Sequence, residues 1–288
     1  MIARFGPAGN SESFYAAGYK ATVEAPKWLQ GLGLTAYEYQ CGRGVRVSAE
    51  TARVMGETAV AHGIQLSLHA PYYISLASAE PQKRDNSIRY IVESAKAVTA
   101  MGGTRIVVHP GGLGGLSRAE ATALASTTLL RAQQALDDEG LSMVRICPET
   151  MGKINQLGDL DEVLQFCQVD ERFLPCVDFG HLNSRTLGAL NSKEAFAAVL
   201  DRLTNALGAE RGAQFHAHFS KIEYTGGGEK RHLTFEDTVY GPEPAPLMQL
   251  VRERGLTPTF ICESDGTQAE DACALKRLYE GIENADAN

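Results

Sequence analysis

The sequence predicts a (β/α)8 barrel, in which eight parallel strands close into a ring and a helix follows each strand. Three observations support this fold class. Short apolar or β-branched segments alternate with longer amphipathic segments along the chain, and such alternation is typical of βαβ units in a parallel sheet. Eight strand–helix units are present, and 288 residues is an ordinary length for such a barrel. We therefore expect residues 1–288 to form one TIM-barrel domain.

Each strand is predicted from a short run rich in apolar or β-branched residues, the composition of strands that are buried on both faces. In chain order these runs are IARFG (2–6), AYEYQ (36–40), QLSLHA (65–70), RIVVHP (105–110), MVRICPE (143–149), LPCVDF (174–179), AQFHAHF (213–219) and PTFICES (258–264). The helices between them are predicted at 19–31, 48–62, 85–101, 117–139, 159–167, 192–206, 244–254 and 268–283. Gly63, Gly140 and Gly255 follow three of these segments, and a glycine there readily adopts the left-handed conformation that ends a helix.

Two further segments bear on the fold and its function. An open, doubly wound sheet is the alternative to a barrel, but the segment GPAGN after the first strand lacks the GxGxxG spacing of nucleotide-binding sheets. Residues 220–243, after the seventh strand, are rich in glycine and charge. A loop of this length inside a compact domain usually has a function.

The composition excludes several classes of protein. Apolar residues make up 44% and charged residues 22% of the chain, which excludes a disordered chain, a collagen and a coiled coil. A net charge of −8 argues against a protein that coats nucleic acid by neutralising phosphates. No apolar run approaches the roughly 20 residues that span a bilayer, no secretory signal is visible, and the six cysteines form no CxxC pair. We expect a cytoplasmic protein with reduced thiols and no membrane partner.

Imidazole and carboxylate side chains lie at or just beyond the ends of six consecutive predicted strands. Because the carboxyl ends of all barrel strands meet on the face that holds the active site, these groups are expected to form one ring. The ring comprises His69, His109, Glu149, Asp178, His181, His216, His232 and Glu263. One such residue is usually a satisfied polar group or a turn residue, but burying eight together without a cation is costly. Imidazole and carboxylate are ligands of Zn²⁺, which takes about four, so the sequence predicts two or three bound ions.

The residues around this ring resemble a known family. The motifs are His69-Ala-Pro-Tyr72, Val107-Val-His109-Pro-Gly111, Glu149-Thr-Met-Gly152-Lys followed by Leu157-Gly158, Cys176-Val-Asp178-Phe-Gly-His181, and Glu263. Each is weak alone, and together they are similar to the endonuclease IV family of apurinic/apyrimidinic endonucleases, within the xylose-isomerase-like barrels. The resemblance runs from about the second strand to the C-terminus and is that of a divergent member.

This resemblance implies a hydrolase of base excision repair that binds damaged double-stranded DNA and cleaves the phosphodiester 5′ of an abasic site. It implies three zinc ions, with Mn²⁺ as an alternative metal and a monomer as the expected state. The implied ligands are His69 and His109 for the first ion, Glu149 at a bridging and catalytic position, Asp178, His216 and Glu263 for the second ion, and His181 and His232 for the third. Paired metals of this kind generate hydroxide and clamp the oxygens of an in-line displacement.

Two departures from the family pattern concern the seventh strand and the loop after it. Lys230 stands where the family has the aspartate of an Asp-x-His pair on the third metal. Either Glu229 substitutes through a shift of the loop, or the third ion is weak or absent, or the lysine itself supplies the positive charge. The family's His-x-Asn-Asp run reads His216-Ala-His218-Phe219 here. Because side chains alternate along a strand, His218 faces the same side as His216 and is a candidate for an extra ligand or a substrate contact.

Aromatic and basic side chains near the ring are candidates for substrate contact. Tyr72 matches a family residue that enters the DNA at the lesion, and wedges of this kind are typical of proteins that kink a duplex. The candidates are Tyr72, Tyr73, Arg43, Lys153, His218, Lys221, Lys230 and Arg231. The alternatives are packing at the barrel rim for the tyrosines and solvated charges for the basic residues.

The sequence leaves a second function class open. Sugar or sugar-phosphate isomerases and epimerases of the same superfamily hold one divalent metal with a Glu, Asp, His, Glu set. Here that set would be Glu149, Asp178, His216 and Glu263. In that case Glu149 and Glu263 would move protons at a carbon beside a carbonyl. The additional histidines favour the nuclease, whereas Lys230 and the negative net charge favour the isomerase. A barrel that only binds a metal or ligand is the third alternative.

Overall fold

Eight parallel strands surround the barrel axis in the computed structural model, which describes residues 2–281. The eight strands of the ring are β1 (Arg4–Pro7), β2 (Ala36–Gln40), β3 (Gln65–His69), β4 (Arg105–Val108), β5 (Arg145–Pro148), β6 (Cys176–Asp178), β7 (His216–Phe219) and β10 (Thr259–Cys262). Two further strands are β8 (Lys221–Thr225) and β9 (Gly228–Leu233). The helices are α1 (Glu12–Ala16), α2 (Ala25–Gly31), α3 (Ala49–His62), α4 (Pro81–Ala100), α5 (Arg118–Asp138), α6 (Leu160–Gln168), α7 (Phe179–Arg185), α8 (Lys193–Ala213), α9 (Ala245–Glu253) and α10 (Gln268–Glu280). Strands β8 and β9 pair as an antiparallel hairpin outside the ring.

The ring is closed by pairing between two four-stranded parallel sheets. One sheet has the order β1-β10-β7-β6 and the other the order β2-β3-β4-β5. Isolated parallel bridges join the two sheets at both seams, one between Ala8 and Glu38 and one between Glu149 and Cys176. The barrel predicted from the sequence is therefore confirmed, and the open sheet is excluded.

The predicted and observed helices differ mainly in their boundaries. The predicted helix 19–31 is a 3₁₀ turn, Thr22–Glu24, followed by α2, and α1 precedes it. Helix α7 was not predicted, because its seven residues are too few to show helical periodicity. Helix α8 continues past the predicted end at residue 206, across a non-helical Gly208 with a φ of 82°. The predicted end of the last helix, 282–283, lies outside the described residues.

Residues 220–243 begin with the β8–β9 hairpin rather than with an irregular loop. The start of β9 is held against the loop after β5, where Lys153 and Gly228 form an antiparallel bridge and the Glu229 N–H donates to Gly152 O at 3.2 Å. Only glycine fits at residue 228, because its φ is 91° and a Cβ there would lie 2.2 Å from Gly152 O. This contact holds the hairpin at the carboxyl end of the barrel.

Signals at the helix ends fix where the helices start and stop. The Ser48 side chain accepts the N–H of Thr51 at 3.1 Å, and Gly63 ends α3 in the left-handed conformation that its sequence position predicted. Ser117 and Glu120 form a capping box at the start of α5. A cap of this kind stabilises a helix by about 0.5–2 kcal/mol.

Apolar packing holds the barrel together in two regions. The larger region lies between the strands and the helices, and Phe14, Phe166 and Phe215 are fully buried there. Each such side chain contributes roughly 1.5–3 kcal/mol by its removal from water. A small cluster fills part of the barrel interior with Val107, Cys147, Leu174 and Cys176. Toward the carboxyl ends the interior is instead polar, with Glu149 and His218 fully buried.

All six cysteines are free thiols, and five of them are buried. Within residues 2–281, no helix combines the length and the apolar character that crossing a membrane requires.

Candidate metal centre

The carboxyl ends of the barrel strands open into a polar cleft of about 580 Å³. Its lining includes His69, Tyr72, His109, Lys153, His181, Glu229, His232 and Glu263. Glu149, Asp178 and His218 lie below this lining and are fully buried. Because the strands are parallel, their last residues meet here, and donors from six barrel strands and the hairpin come together.

The first donor group is His69, His109 and Glu149, whose ligand atoms lie within 4.8 Å of one another. Glu149 Oε2 is 3.3 Å from His69 Nε2 and 2.9 Å from His109 Nε2. His69 Nδ1 lies 2.8 Å from the carbonyl oxygen of Ala70. When Nδ1 donates to that carbonyl, the lone pair of the neutral imidazole is on Nε2 and faces Glu149.

The second donor group is Glu149, Asp178, His218 and Glu263, again within 4.8 Å. His218 Nδ1 is 3.0 Å from Glu149 Oε1 and 3.4 Å from Glu263 Oε2. Glu149 therefore belongs to the first and the second group, with one oxygen directed to each. The two groups are continuous, since His69, His218 and Glu263 also lie within 4.8 Å of one another.

The third donor group is His181, Glu229 and His232. Glu229 lies 3.5 Å from His181 Nε2 and 3.8 Å from His232 Nε2. The other nitrogen of each ring is already engaged, because His181 Nδ1 is 2.9 Å from Thr150 O and His232 Nδ1 is 2.8 Å from Ser220 Oγ. Both histidines thus present Nε2 to the same carboxylate.

One buried oxygen indicates that a cation fits this donor set. Asp178 Oδ1 accepts the N–H of His181 at 2.7 Å, whereas Oδ2 is buried, lies 3.2 Å from His181 Nδ1, and has no hydrogen-bond partner among the described residues. An unsatisfied buried carboxylate oxygen is costly. A divalent cation held by the second donor group would satisfy it, and imidazole with carboxylate is a zinc-type ligand set.

The electrostatics of the site favour positive charge. Burial raises the pKa of Glu149, but the charges on His218 and His109 outweigh it and hold that pKa well below its ordinary value. Burial lowers the pKa of His181, yet Asp178 and Glu149 raise it to about 10. Acidic neighbours raise the pKa of His218 as well, whereas burial lowers the pKa of His109. A divalent cation would replace the protons on His181 and His218.

The structure exchanges the expected positions of the two histidines of β7. His218, rather than His216, lies with Asp178 and Glu149. The strand register explains this, because Asp178 pairs with His218 whereas Cys176 pairs with His216. His216 is therefore one layer deeper in the barrel, with its Nε2 2.9 Å from Glu38 Oε2.

The hairpin brings one of the sequence alternatives into the site. Glu229 lies in the third donor group, as in the alternative of a shifted loop. Lys230 is exposed, and its Nζ binds Glu223 Oε1 at 2.5 Å. It therefore supplies no charge to the donor group.

The predicted substrate contacts separate into residues at the cleft and residues away from it. Tyr72 is 55% exposed and stacks on His109 at a ring distance of 5.3 Å. Lys153 lines the cleft, and Arg43 lines a depression that shares Tyr72 with it. Tyr73 is half exposed and packs against Tyr90.

Four other candidates, Lys221, Lys230, Arg231 and His218, have surroundings unlike those of an open substrate surface. Lys221 is buried, with its Nζ bound to Asp237 O and Glu243 Oε1, both at 2.6 Å. Arg231 pairs with Glu223, as Lys230 does. His218 is fully buried beneath the cleft, so its placement is that of a ligand rather than of a surface contact.

Sequence reasoning missed Glu38. This residue is fully buried in β2, and its carboxylate lies 2.9 Å from both His216 Nε2 and His218 Nε2. The available signal was a glutamate in the middle of the strand AYEYQ, where a buried strand would otherwise be apolar.

The fold and the site define a class, a parallel (β/α)8 barrel with adjoining histidine and carboxylate groups at its mouth. The family model described as "Xylose isomerase-like TIM barrel" matches residues 26–281, and the chain belongs to this family. An uncharacterized protein of Methanocaldococcus jannaschii is 34% identical over 254 residues, which cover 88% of this chain and 90% of that protein. A probable endonuclease 4 of Mycoplasma pneumoniae is 30% identical over 60% of this chain and 59% of its own length.

Solved structures extend the comparison to the whole fold. Endonuclease IV from Thermus thermophilus superimposes with a TM-score of 0.65 at 20% identity, over 97% of this chain and 98% of that chain. A D-tagatose 3-epimerase-like protein gives a TM-score of 0.71 at 18% identity, with the same coverage. At these identities the likeness shows the fold alone. The expected xylose-isomerase-like barrel family is confirmed, and the similarity to endonuclease IV proteins inferred from the sequence recurs among the relatives.

Proposed function

We propose that this protein is a metal-dependent phosphodiester hydrolase that cleaves DNA 5′ of abasic sites. The observation that carries the proposal is the sharing of Glu149 between two donor groups, with a third group beside them. A one-metal enzyme needs only one such group. The similarity to probable endonuclease 4 proteins points to the same activity.

The donor groups assign a role to each residue in this proposal. His69, His109 and Glu149 would hold one ion, the second donor group another, and His181, Glu229 and His232 a third. Zinc or manganese ions bound there would supply hydroxide and neutralise phosphate charge. Tyr72 contacts the duplex at the lesion, and Arg43 and Lys153 bind its phosphates.

The charge of the site accounts for phosphate binding by an acidic chain. The three donor groups contain the carboxylates Glu149, Asp178, Glu229 and Glu263. Two divalent cations would neutralise these four charges, and a third would make the mouth locally positive. A bound cation can therefore reverse the local sign of an otherwise negative protein.

The test is incubation of the zinc- or manganese-loaded protein with a duplex that carries a single tetrahydrofuran abasic analogue. We expect a nick 5′ of the analogue, and none in the matching undamaged duplex. Glu149→Gln serves as the inactive control. An abasic duplex that stays intact after long incubation with the loaded protein would exclude this function.

A second candidate function is epimerisation or isomerisation of a sugar or sugar phosphate. The second donor group favours it, since Glu149, Asp178, His218 and Glu263 form a four-residue set for one ion. In this function Glu149 and Glu263 would transfer protons at a carbon beside a carbonyl. Elemental analysis distinguishes the two functions, because the nuclease requires at least two ions per chain and the epimerase only one.

A further inference from the structure

Glu38 is a buried carboxylate that none of the donor groups contains. Its Oε2 accepts the hydroxyl proton of Ser67 at 2.9 Å and lies 2.9 Å from His216 Nε2. Its Oε1 lies 2.9 Å from His218 Nε2. Burying a carboxylate costs several kcal/mol before its partners compensate. All of its close charged partners are histidines that belong to the site or lie directly beneath it.

His218 connects Glu38 to the second donor group through the two nitrogens of one ring. Its Nδ1 faces Glu149 and Glu263 at 3.0 and 3.4 Å. Its Nε2 is buried and lies 2.9 Å from Glu38 Oε1, but the angles of this contact are not those of a hydrogen bond, so Nε2 has no hydrogen-bond partner among the described residues. A neutral imidazole that offers the Nδ1 lone pair carries its proton on Nε2. A buried N–H requires an acceptor, and Glu38 Oε1, 2.9 Å away, is the carboxylate oxygen within reach of it.

The barrel holds the Glu38 carboxylate in place from two sides. Glu38 and Ser67 are register partners on the neighbouring strands β2 and β3. His216 approaches from β7, across the barrel interior. With Oε2 engaged by both residues, Oε1 faces His218 Nε2 at 2.9 Å and accepts a longer hydrogen bond from Gln40 Nε2 at 3.4 Å.

We propose that Glu38 is a positioning residue that holds His218 in the Nε2-protonated tautomer and directs its Nδ1 into the second donor group. The inference rests on the metal centre of the proposed function and not on its DNA substrate. Carboxylate partners of this kind fix the ring of a ligating histidine and increase its basicity, and their removal typically weakens metal binding about 10- to 100-fold.

The test measures the zinc affinity of the full-length protein by competition with a chromophoric chelator. Glu38→Gln preserves the shape of the side chain and removes its charge, and we expect its affinity for one ion per chain to fall about 10- to 100-fold. Asp137→Asn is the matched control. Asp137 is a partly exposed carboxylate outside the donor groups that pairs with Arg172 at 2.6 Å, so we expect its loss to leave the affinity unchanged. Equal affinities in Glu38→Gln and the unmodified protein would overturn the proposal.

A second measurement does not depend on the folding of Glu38→Gln. Nitrogen-15 NMR of the zinc-loaded, unmodified protein should show His218 with a proton on Nε2 and metal on Nδ1. The opposite tautomer would overturn the proposal. A protein that shows the expected tautomer and affinities yet leaves abasic DNA intact would refute the nuclease and leave the role of Glu38 standing.

One more variant tests whether the layer beneath the site holds an ion of its own. Cys176 Sγ, His216 and His218 lie within 4.8 Å of one another, and an ion there would occupy His218 Nε2. We expect Cys176→Ala to bind as many zinc ions per chain as the unmodified protein. The loss of one ion would overturn the positioning role.

Discussion

Glu149 is the residue on which the donor arrangement depends most. It has no accessible surface and contacts His69 and His109 through Oε2 and His218 through Oε1. Its position follows from the sequence order Pro148-Glu149 at the end of β5, where the strand opens into the mouth of the barrel. A carboxylate can bind one cation through each of its two oxygens. The amide of a glutamine has a single oxygen and no negative charge, so it can bind only one cation, and more weakly.

We expect Glu149→Gln to lose at least one tightly bound ion and to be more than about 100-fold less active. Substitution of residues that only hydrogen-bond to metal ligands already lowers metal affinity or activity about 10- to 100-fold, and a direct ligand should matter more. Elemental analysis and the rate of strand cleavage measure these effects, and circular dichroism checks the fold. Glu162→Gln is the control, because Glu162 is also buried but caps α6 and binds Arg118 instead. Full metal content in Glu149→Gln would contradict the shared-ligand role.

At the scale of single elements, the β8–β9 hairpin decides the third donor group. Glu229 lies at the second position of β9 and faces His181, whereas the next residue, Lys230, pairs with Glu223 on β8. Lys230 is the extra residue of a β-bulge, since Glu223 pairs with Arg231 and Tyr224 with Glu229. The bulge interrupts the alternation of the strand, so Glu229 and His232, three residues apart, both reach the third donor group. The backbone contacts of β9 with the loop after β5 set this register.

The third donor group predicts different outcomes for two neighbouring alanine variants. Glu229→Ala removes a ligand between His181 and His232, so we expect the loaded protein to lose one ion per chain. Lys230→Ala removes an exposed ion pair, which contributes little to stability, and we expect its metal content to stay unchanged. Elemental analysis of both proteins after dialysis is the measurement. Equal metal content in the two variants would show that Glu229 binds no ion.

The glycine at the start of β9 gives a test of the hairpin's position. Gly228→Ala places a Cβ against Gly152 O in a backbone conformation with positive φ. We expect a loss of more than about 1 kcal/mol of stability together with weaker binding of the third ion. Gly226→Ala, where a Cβ meets nothing within 4 Å, is the control and should match the unmodified protein. Urea denaturation and metal titration of the two variants provide the comparison.

At the scale of the whole molecule, the metal centre connects strands from both halves of the barrel. The first donor group uses β3, β4 and β5, while the second adds residues at the ends of β6, β7 and β10. A cation bound there would therefore hold the two sheets together at the seam between β5 and β6. Metal binding should accordingly stabilise the entire barrel.

We expect a chelator to lower the melting temperature of the loaded protein. Free metal at about 100 times its dissociation constant stabilises the folded state by roughly 2.7 kcal/mol per site. For a chain of this size that corresponds to a decrease of about 5–10 °C when the metal is removed. Lowering the pH should act in the same direction, because protons compete with the metal for the imidazoles. Differential scanning calorimetry with and without chelator measures the shift, and identical melting temperatures would contradict a bound metal that stabilises the fold.

The sequence by itself determined the barrel and the end of it that carries the site. The alternation of strands and helices is a local pattern, and the histidines and carboxylates at strand ends follow from it, as with His69, His109 and Glu149. Tertiary structure alone decided which histidine of β7 reaches the second donor group, that Glu229 enters the third, and that Glu38 lies beneath them. These placements depend on the register between neighbouring strands and on how the hairpin packs against the loop after β5. Such contacts join residues far apart in the chain, so no local pattern contains them.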